Sequence, residues 1–128
     1  MKTMYVKILA LLAVLGCCGS ALADSWVRVV YVCNLNDGKT MEDVRAANTA
    51  WVKYMQANVD DSISSTILTP MVGNLEAGRF IYADDFPSVE AWNAMLQASE
   101  TDEGQAIDAA LNAAAPCSQS SMHLAEES

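Results

Sequence analysis

The chain has 128 residues, of which 16 are acidic and 7 basic, a net charge of −9, and 52 % of its residues are hydrophobic. This is the length of one ordinary domain, and an acidic surface repels nucleic acid and anionic lipid, so neither is expected as a partner. The acids are dispersed and nowhere form the calcium-loop pattern D-x-[DN]-x-[DN]-G. With a single histidine in the chain, neither a metal site nor a cofactor is expected.

The N-terminus reads as an export signal. Lys2 and Lys7 form a positive start, Ile8 to Leu15 is an apolar run, and Ala21-Leu22-Ala23 is a small-x-small cleavage site. The run is well short of the ~20 residues that span a bilayer. Residues 1–23 are therefore expected to be removed, leaving a secreted or periplasmic domain over 24–128. A second reading remains open. Val14-Leu15-Gly16-Cys17 resembles a lipobox, in which case Cys17 would be lipidated and the domain anchored to a membrane. Cleavage after Ala23 removes two lysines and no acids, leaving five basic and sixteen acidic residues, a net charge of −11.

In chain order, Trp26 to Cys33 is β-branched and aromatic throughout and reads as a strand. Asp37-Gly38 punctuates a turn. Thr40 is a plausible helix N-cap with Asp43 three residues on, and Met41, Val44, Ala47, Trp51 and Tyr54/Met55 then recur at helical spacing up to Asn58. Ser65 to Val72 reads as a second strand, with Pro70 marking it as an edge. A hairpin over 73–78 leads to a third strand, Arg79 to Asp84. Pro87 and Ser88 open a helix with Val89, Trp92, Met95 and Leu96 on one face. Thr101 to Gly104 interrupts it, a further helix runs from Gln105 to Ala114, Pro116 stops it, and Cys117 to Leu124 makes the last strand.

The order strand, helix, strand, strand, helix, strand predicts an α+β, ferredoxin-like βαββαβ sandwich. Its four-stranded antiparallel sheet has order 4-1-3-2, with the helices on one face. In that topology the end of strand one lies beside the start of strand four, so Cys33 and Cys117 are expected to form a disulfide, as an oxidising compartment allows. Pairing the two in simple register sets Tyr31 opposite Gln119, Val29 opposite Ser121 and Val27 opposite His123. Arg28, Val30, Trp26 and Met122 then fall on the other side. A domain this small is marginal by surface-to-volume scaling, and a disulfide or a homodimer interface would support it.

With these elements placed, the chain resembles the dimeric α/β-barrel superfamily, which includes cofactor-free antibiotic-biosynthesis monooxygenases, NIPSNAP-like proteins and haem-degrading monooxygenases. The resemblance spans nearly the whole exported chain. It is most marked in Gly78-Arg79-Phe80-Ile81-Tyr82-Ala83-Asp84-Asp85-Phe86-Pro87-Ser88-Val89-Glu90-Ala91-Trp92, where a strand passes through a short turn into a helix carrying a tryptophan. Cys33-Asn34-Leu35-Asn36-Asp37-Gly38-Lys39-Thr40 is similar to small secreted bacterial proteins without an assigned activity. The resemblance implies a homodimer whose sheets meet face to face, and it does not fix a reaction. The haem-degrading branch uses a tryptophan followed by a histidine. Trp92 matches the first, but Glu100, Thr101 and Asp102 stand where the histidine would fall.

Candidate site residues follow from this frame. Trp51, Trp92, Met55, Met95 and Leu96 would face the sheet, as core or as the lining of an apolar pocket; Tyr31 and Tyr82 join Trp51, Met55 and Trp92 as pocket candidates. Strands one and three, read as parallel neighbours, would bring Asn34, Asn36, Tyr31, Tyr82, Asp84 and Asp85 together at their ends, either as a site or as turn and cap residues. Tyr82, Asn34 and His123 are the catalytic candidates, His123 because its ordinary pKa lies near neutrality. Two functions stay open: a non-enzymatic domain that binds a small apolar or aromatic ligand or serves a structural or stress role, and a cofactor-independent monooxygenase acting on an aromatic substrate.

Overall fold

The computed structural model describes residues 25–73 and 76–128. The export signal, its cleavage after Ala23 and the alternative at Cys17 lie outside the described residues. Seven elements follow one another: β1 (Ser25–Asn34), α1 (Met41–Asn58), β2 (Ser64–Leu68), β3 (Arg79–Phe86), α2 (Val89–Ser99), α3 (Asp102–Ala114) and β4 (Cys117–Glu126). The strands form one sheet in the order β2-β3-β1-β4 with every neighbouring pair antiparallel. This is the expected ferredoxin-like α+β arrangement.

Local chemistry sets the element ends. Thr40 caps α1 through a complete capping box, its hydroxyl accepting from Asp43 N while the Asp43 carboxylate accepts from Thr40 N at 2.8 Å. Ser88 caps α2 and Thr101 caps α3. The start of α3 three residues before the predicted one has a steric reason. Gly104, read as a breaker, lies in the first turn of α3, where a Cβ would run into the Ala98 carbonyl at the end of α2. Close approach, and not chain flexibility, requires glycine there. The second strand is shorter than expected because Pro70 cannot donate to a ladder. The strand ends at Leu68, and β2 lies at the sheet edge.

Alternation along β1 divides the sheet into two faces. Val27, Val29, Tyr31 and Cys33 point toward the helices, opposite Phe86, Asp84, Tyr82 and Phe80 of β3. Trp26, Arg28, Val30 and Val32 point to the face without helices. The helix side holds two buried clusters. One gathers Val27, Val29, Trp51, Met55, Ile63 and Phe86 around an edge-to-face Trp51–Phe86 pair at 6.3 Å. The other gathers Cys33, Val44, Phe80, Tyr82, Ala114 and Ala115. Tyr31 and Leu111 pack against both.

Two expectations are corrected by the pairing. First, β1 and β3 are antiparallel, with Val27 opposite Phe86 and Asn34 opposite Arg79. The ends carrying Asn34 and Asn36 therefore lie at the opposite end of the sheet from Asp84 and Asp85, and the predicted cluster does not form. Second, Cys33 pairs with Cys117 but Val32 pairs with Gln119, which leaves Ser118 as the extra residue of a bulge. From there on the register differs by one from the simple ladder: Tyr31 faces Ser120, Val29 faces Met122 and Arg28 faces His123. Met122 and Leu124 thus share the helix side of the sheet with Val29 and Val27. They remain 43 % and 69 % exposed, because β4 extends past the helix layer.

Cys33 and Cys117 form the expected disulfide across 84 residues of chain. Closing a loop of that length stabilises by roughly 4–5 kcal/mol in the chain-entropy model. Cys33→Ser and Cys117→Ser are each expected to lower the melting temperature by roughly 10 °C or more, with the double variant no worse than either. Thiol titration of the unfolded, unreduced protein should find neither cysteine free.

Candidate functional site

Between the two buried clusters the helix layer does not close on the sheet. A cavity of about 300 Å³ remains. Its floor is Tyr31 of β1 with Tyr82 and Asp84 of β3. Asn48 and Trp51 of α1 form one wall, and Met95, Leu96 and Ser99 of α2 another. Asp108, Leu111 and Asn112 of α3 complete it beside Cys117. Leu96, 43 % exposed, stands at the rim.

Asp84 is the residue with the most consequence here. Alternation on β3 sends it inward, where it is 7 % exposed, while Asp85 points to the opposite face. It sits at the end of a short relay. Asn48 Nδ2 donates to Ser65 Oγ at 3.0 Å, and Ser65 Oγ donates to Asp84 Oδ1 at 2.5 Å. Burial raises its pKa to about 7; the bond from Ser65 opposes the shift and the Asp85 charge adds to it. The carboxyl therefore exchanges its proton near neutrality. Asp108 is also raised by burial. Both tyrosines are raised as well, away from neutrality. Burial first, and then the nearby carboxylates, hold Tyr31 and Tyr82 at about 12. Near neutral pH they are hydrogen-bonding phenols and not bases. Tyr82 Oη is buried without a protein partner.

The structure separates the sequence candidates. Tyr31, Trp51 and Tyr82 meet in the cavity, with Met95 and Leu96. Met55 is fully buried in the core. Trp92 packs half-buried on the flank of that core, its Nε1 without a partner. Asn34 lies at the far end of β1 opposite Arg79. Asn36 is structural: its side-chain amide donates to the Asn112 and Ala113 carbonyls at 3.2 and 2.9 Å, closing the C-terminal turn of α3. Asp85 binds Arg28 through Nε and Nη2, both at 2.8 Å, and accepts from Trp26 Nε1 at 2.9 Å on the face away from the helices. His123 is exposed on β4 opposite Arg28, 2.8 Å from Ser121 Oγ, and does not reach the cavity. Among the described residues no group of three or more histidines, cysteines or acids could hold a metal.

Sequence reasoning passed over Asn48, Ser65 and Asp108. For Asn48 a signal existed. It falls on the stripe formed by Val44, Trp51 and Met55, and a polar residue on a buried stripe requires a partner.

Solved structures with this fold support the assignment. SnoaB from Streptomyces nogalater, described as a cofactor-independent oxygenase, is 11 % identical, covers 83 % of this chain and 97 % of its own, and superposes with a TM-score of 0.61. A putative antibiotic biosynthesis monooxygenase from Caulobacter crescentus is 13 % identical over 83 % and 92 % of the two chains, with a TM-score of 0.55. A protein from Arabidopsis thaliana is 11 % identical over 80 % and 95 %, at 0.52. At these identities the likeness is one of fold. No protein-family model and no curated protein matches the sequence.

The raised pKa of Asp84 has a sign that can be checked. Its folded value lies above the unfolded one, so the folded state holds the extra proton between about pH 4 and 7, and stability falls as pH rises through that window. Three pKa units correspond to roughly 4 kcal/mol at most. Asp84→Asn should therefore stabilise the protein by roughly 2–4 kcal/mol at pH 8 and change it little at pH 4. Urea unfolding across that range checks the expectation.

Proposed function

We propose that this chain is an exported domain whose cavity binds a small, largely aromatic ligand through a hydrogen bond or proton exchange with Asp84. The carrying observation is the retention of a buried carboxyl in a gap between two otherwise packed clusters. A domain under pressure for stability alone would fill such a gap or neutralise the acid. The cavity is at the small end of ligand-site volumes, which suits a one- or two-ring compound. Tyr31, Trp51 and Tyr82 supply flat apolar surface, and Asn48 and Asp84, the latter held by Ser65, orient the polar end. The test is titration with neutral ring compounds, indole and 2-naphthol, followed by tryptophan fluorescence and calorimetry. Saturable binding with micromolar to low-millimolar Kd is expected, and Leu96→Trp at the rim should weaken it at least tenfold. Absence of saturable binding by either compound would dismiss the reading.

A second reading has its own support, the proton affinity of Asp84 near neutrality. A carboxylate so placed is suited to removing a proton from a phenol or enol. The resulting enolate carbon can donate electrons to dioxygen, so that a CH₂ and O₂ become a carbonyl and water. SnoaB, with the same fold, is described as working without a cofactor. In this reading Tyr82 hydrogen-bonds the substrate oxygen and Asp84 takes the proton.

The export reading and a homodimer belong to the same proposal. The face without helices presents Val30, Val32 and Ile81 half-buried and Leu68 at 49 % exposure, an apolar surface that a twin sheet would cover. Mass spectrometry of the exported protein is expected to give a chain beginning at Asp24 under denaturing conditions and twice that mass under native ones. A diacylglyceryl mass on Cys17 would replace secretion by membrane anchoring, and a monomer at micromolar concentration would remove the dimer.

A further inference from the structure

The lining of the cavity has a one-sided charge character. It holds two carboxyls, Asp84 from the floor and Asp108 from α3, and no lysine, arginine or histidine. The two acids come from different elements and line one cavity with Tyr31, whose phenol both disfavour ionising. The remaining surface is aromatic on the floor, with Tyr31 and Tyr82, and on the α1 wall, with Trp51. Tyr82 is 5 % exposed and its hydroxyl has no protein partner, so a phenol able to donate and to accept is left unpaired in the cavity lining.

Each class of ligand head meets this lining differently. An anionic head would face two carboxyls with no counter-charge, a repulsion that a low-dielectric pocket magnifies. A neutral head would satisfy one hydrogen bond at most positions. A protonated amine meets every feature: carboxylates to accept its N–H groups, a phenol oxygen as a further acceptor, and electron-rich ring faces that attract a cation. The basic residues of the described chain are placed elsewhere. Arg28 is held by Asp85 on the opposite face and Arg79 by Glu76 outside the cavity. The chain's net negative charge adds a long-range attraction for cations.

We infer that the cavity is an amine site: its preferred ligand is a small arylalkyl ammonium ion, held with its charge between Asp84 and Asp108 and its ring against Trp51 and the two tyrosines. This inference rests on the proposed binding role of the same cavity and narrows it to one charge class.

Three probes of equal length and different charge separate the possibilities: 3-phenylpropylamine, 3-phenylpropan-1-ol and 3-phenylpropanoate, titrated calorimetrically at pH 7.5 and 0.15 M salt into the disulfide-bonded protein. The amine is expected to bind at least tenfold tighter than the alcohol, with no binding by the carboxylate. In Asp84→Asn and in Asp108→Asn the preference for the amine should fall to threefold or less while the alcohol binds as before. Asp61→Asn, which removes an exposed acid outside the cavity, should leave the preference intact. Equal binding of amine and alcohol to the unaltered protein would overturn the amine assignment and leave the aromatic pocket standing. So would a loss of preference in Asp61→Asn as large as in Asp84→Asn, since general attraction to the surface would then explain it. Binding of none of the three would remove the pocket reading itself, and the amine assignment with it.

Discussion

The structure depends on one strand being hydrogen-bonded along both edges. β1 pairs with β3 on one side and β4 on the other, so its pleat cannot slip without breaking two ladders at once. That constraint sends Val27, Val29, Tyr31 and Cys33 toward the helices and Trp26, Arg28, Val30 and Val32 away from them. Through the β3 register it also sends Asp84 inward and Asp85 outward. Two adjacent aspartates thereby acquire unlike surroundings. Asp85 is partly exposed and satisfied by a guanidinium and an indole, whereas Asp84 is desolvated with one hydroxyl donor. Sequence proximity and chemical environment are here unrelated, because a strand has period two.

Helix ends and the core side of β1 are legible in the residues themselves, because they rest on short-range rules. The capping residues Thr40 and Ser88, the apolar spacing of α1 and the β-branched run of β1 each act within a few positions. The placing of Cys33 against Cys117 was also accessible, since it needed only the order of elements and the direction of two strands. What escaped involves long-range registration. One paired point does not determine a ladder when a bulge intervenes at Ser118, and treating β1 and β3 as parallel put Asn34 and Asp84 at the same end of the sheet. The cavity was half-visible. Tyr31, Trp51 and Tyr82 could be assigned inward from periodicity alone, but Asp108 joins them only through the way α3 packs across β1, which no local pattern encodes.

The cavity and the core are two outcomes of one packing problem. Tyr31 and Leu111 bridge the two buried clusters, and three helices must lie over a sheet whose last strand they do not reach. Tyr54 fixes the turn between α2 and α3 by bonding the Ala98 carbonyl at 3.0 Å with Thr101 Oγ1 at 2.6 Å, and Gly104 lets the two helices meet closely at that corner. The helix layer is thereby pinned at its corner, and the unfilled volume gathers where α1, α2 and α3 diverge over Asp84. Ionised, Asp84 opposes folding, because burial disfavours its charge.

The bulge at Ser118 acts as a phase setter for the whole C-terminal strand. Everything after it is read in the alternate frame, so the exclusion of Ser118 from the ladder decides that Met122 and Leu124 look toward the helix side while His123 and Ser121 look away. Pairing Ser118 with Val32 in a regular ladder would slide Met122 to Arg28, exchange the two sets and give the face without helices an apolar C-terminal border in place of a polar one, whereas deleting Ser118 would leave the pairs beyond it unchanged. The chemistry of that border is therefore set by whether Ser118 bulges out of the ladder as much as by the side chains beyond it.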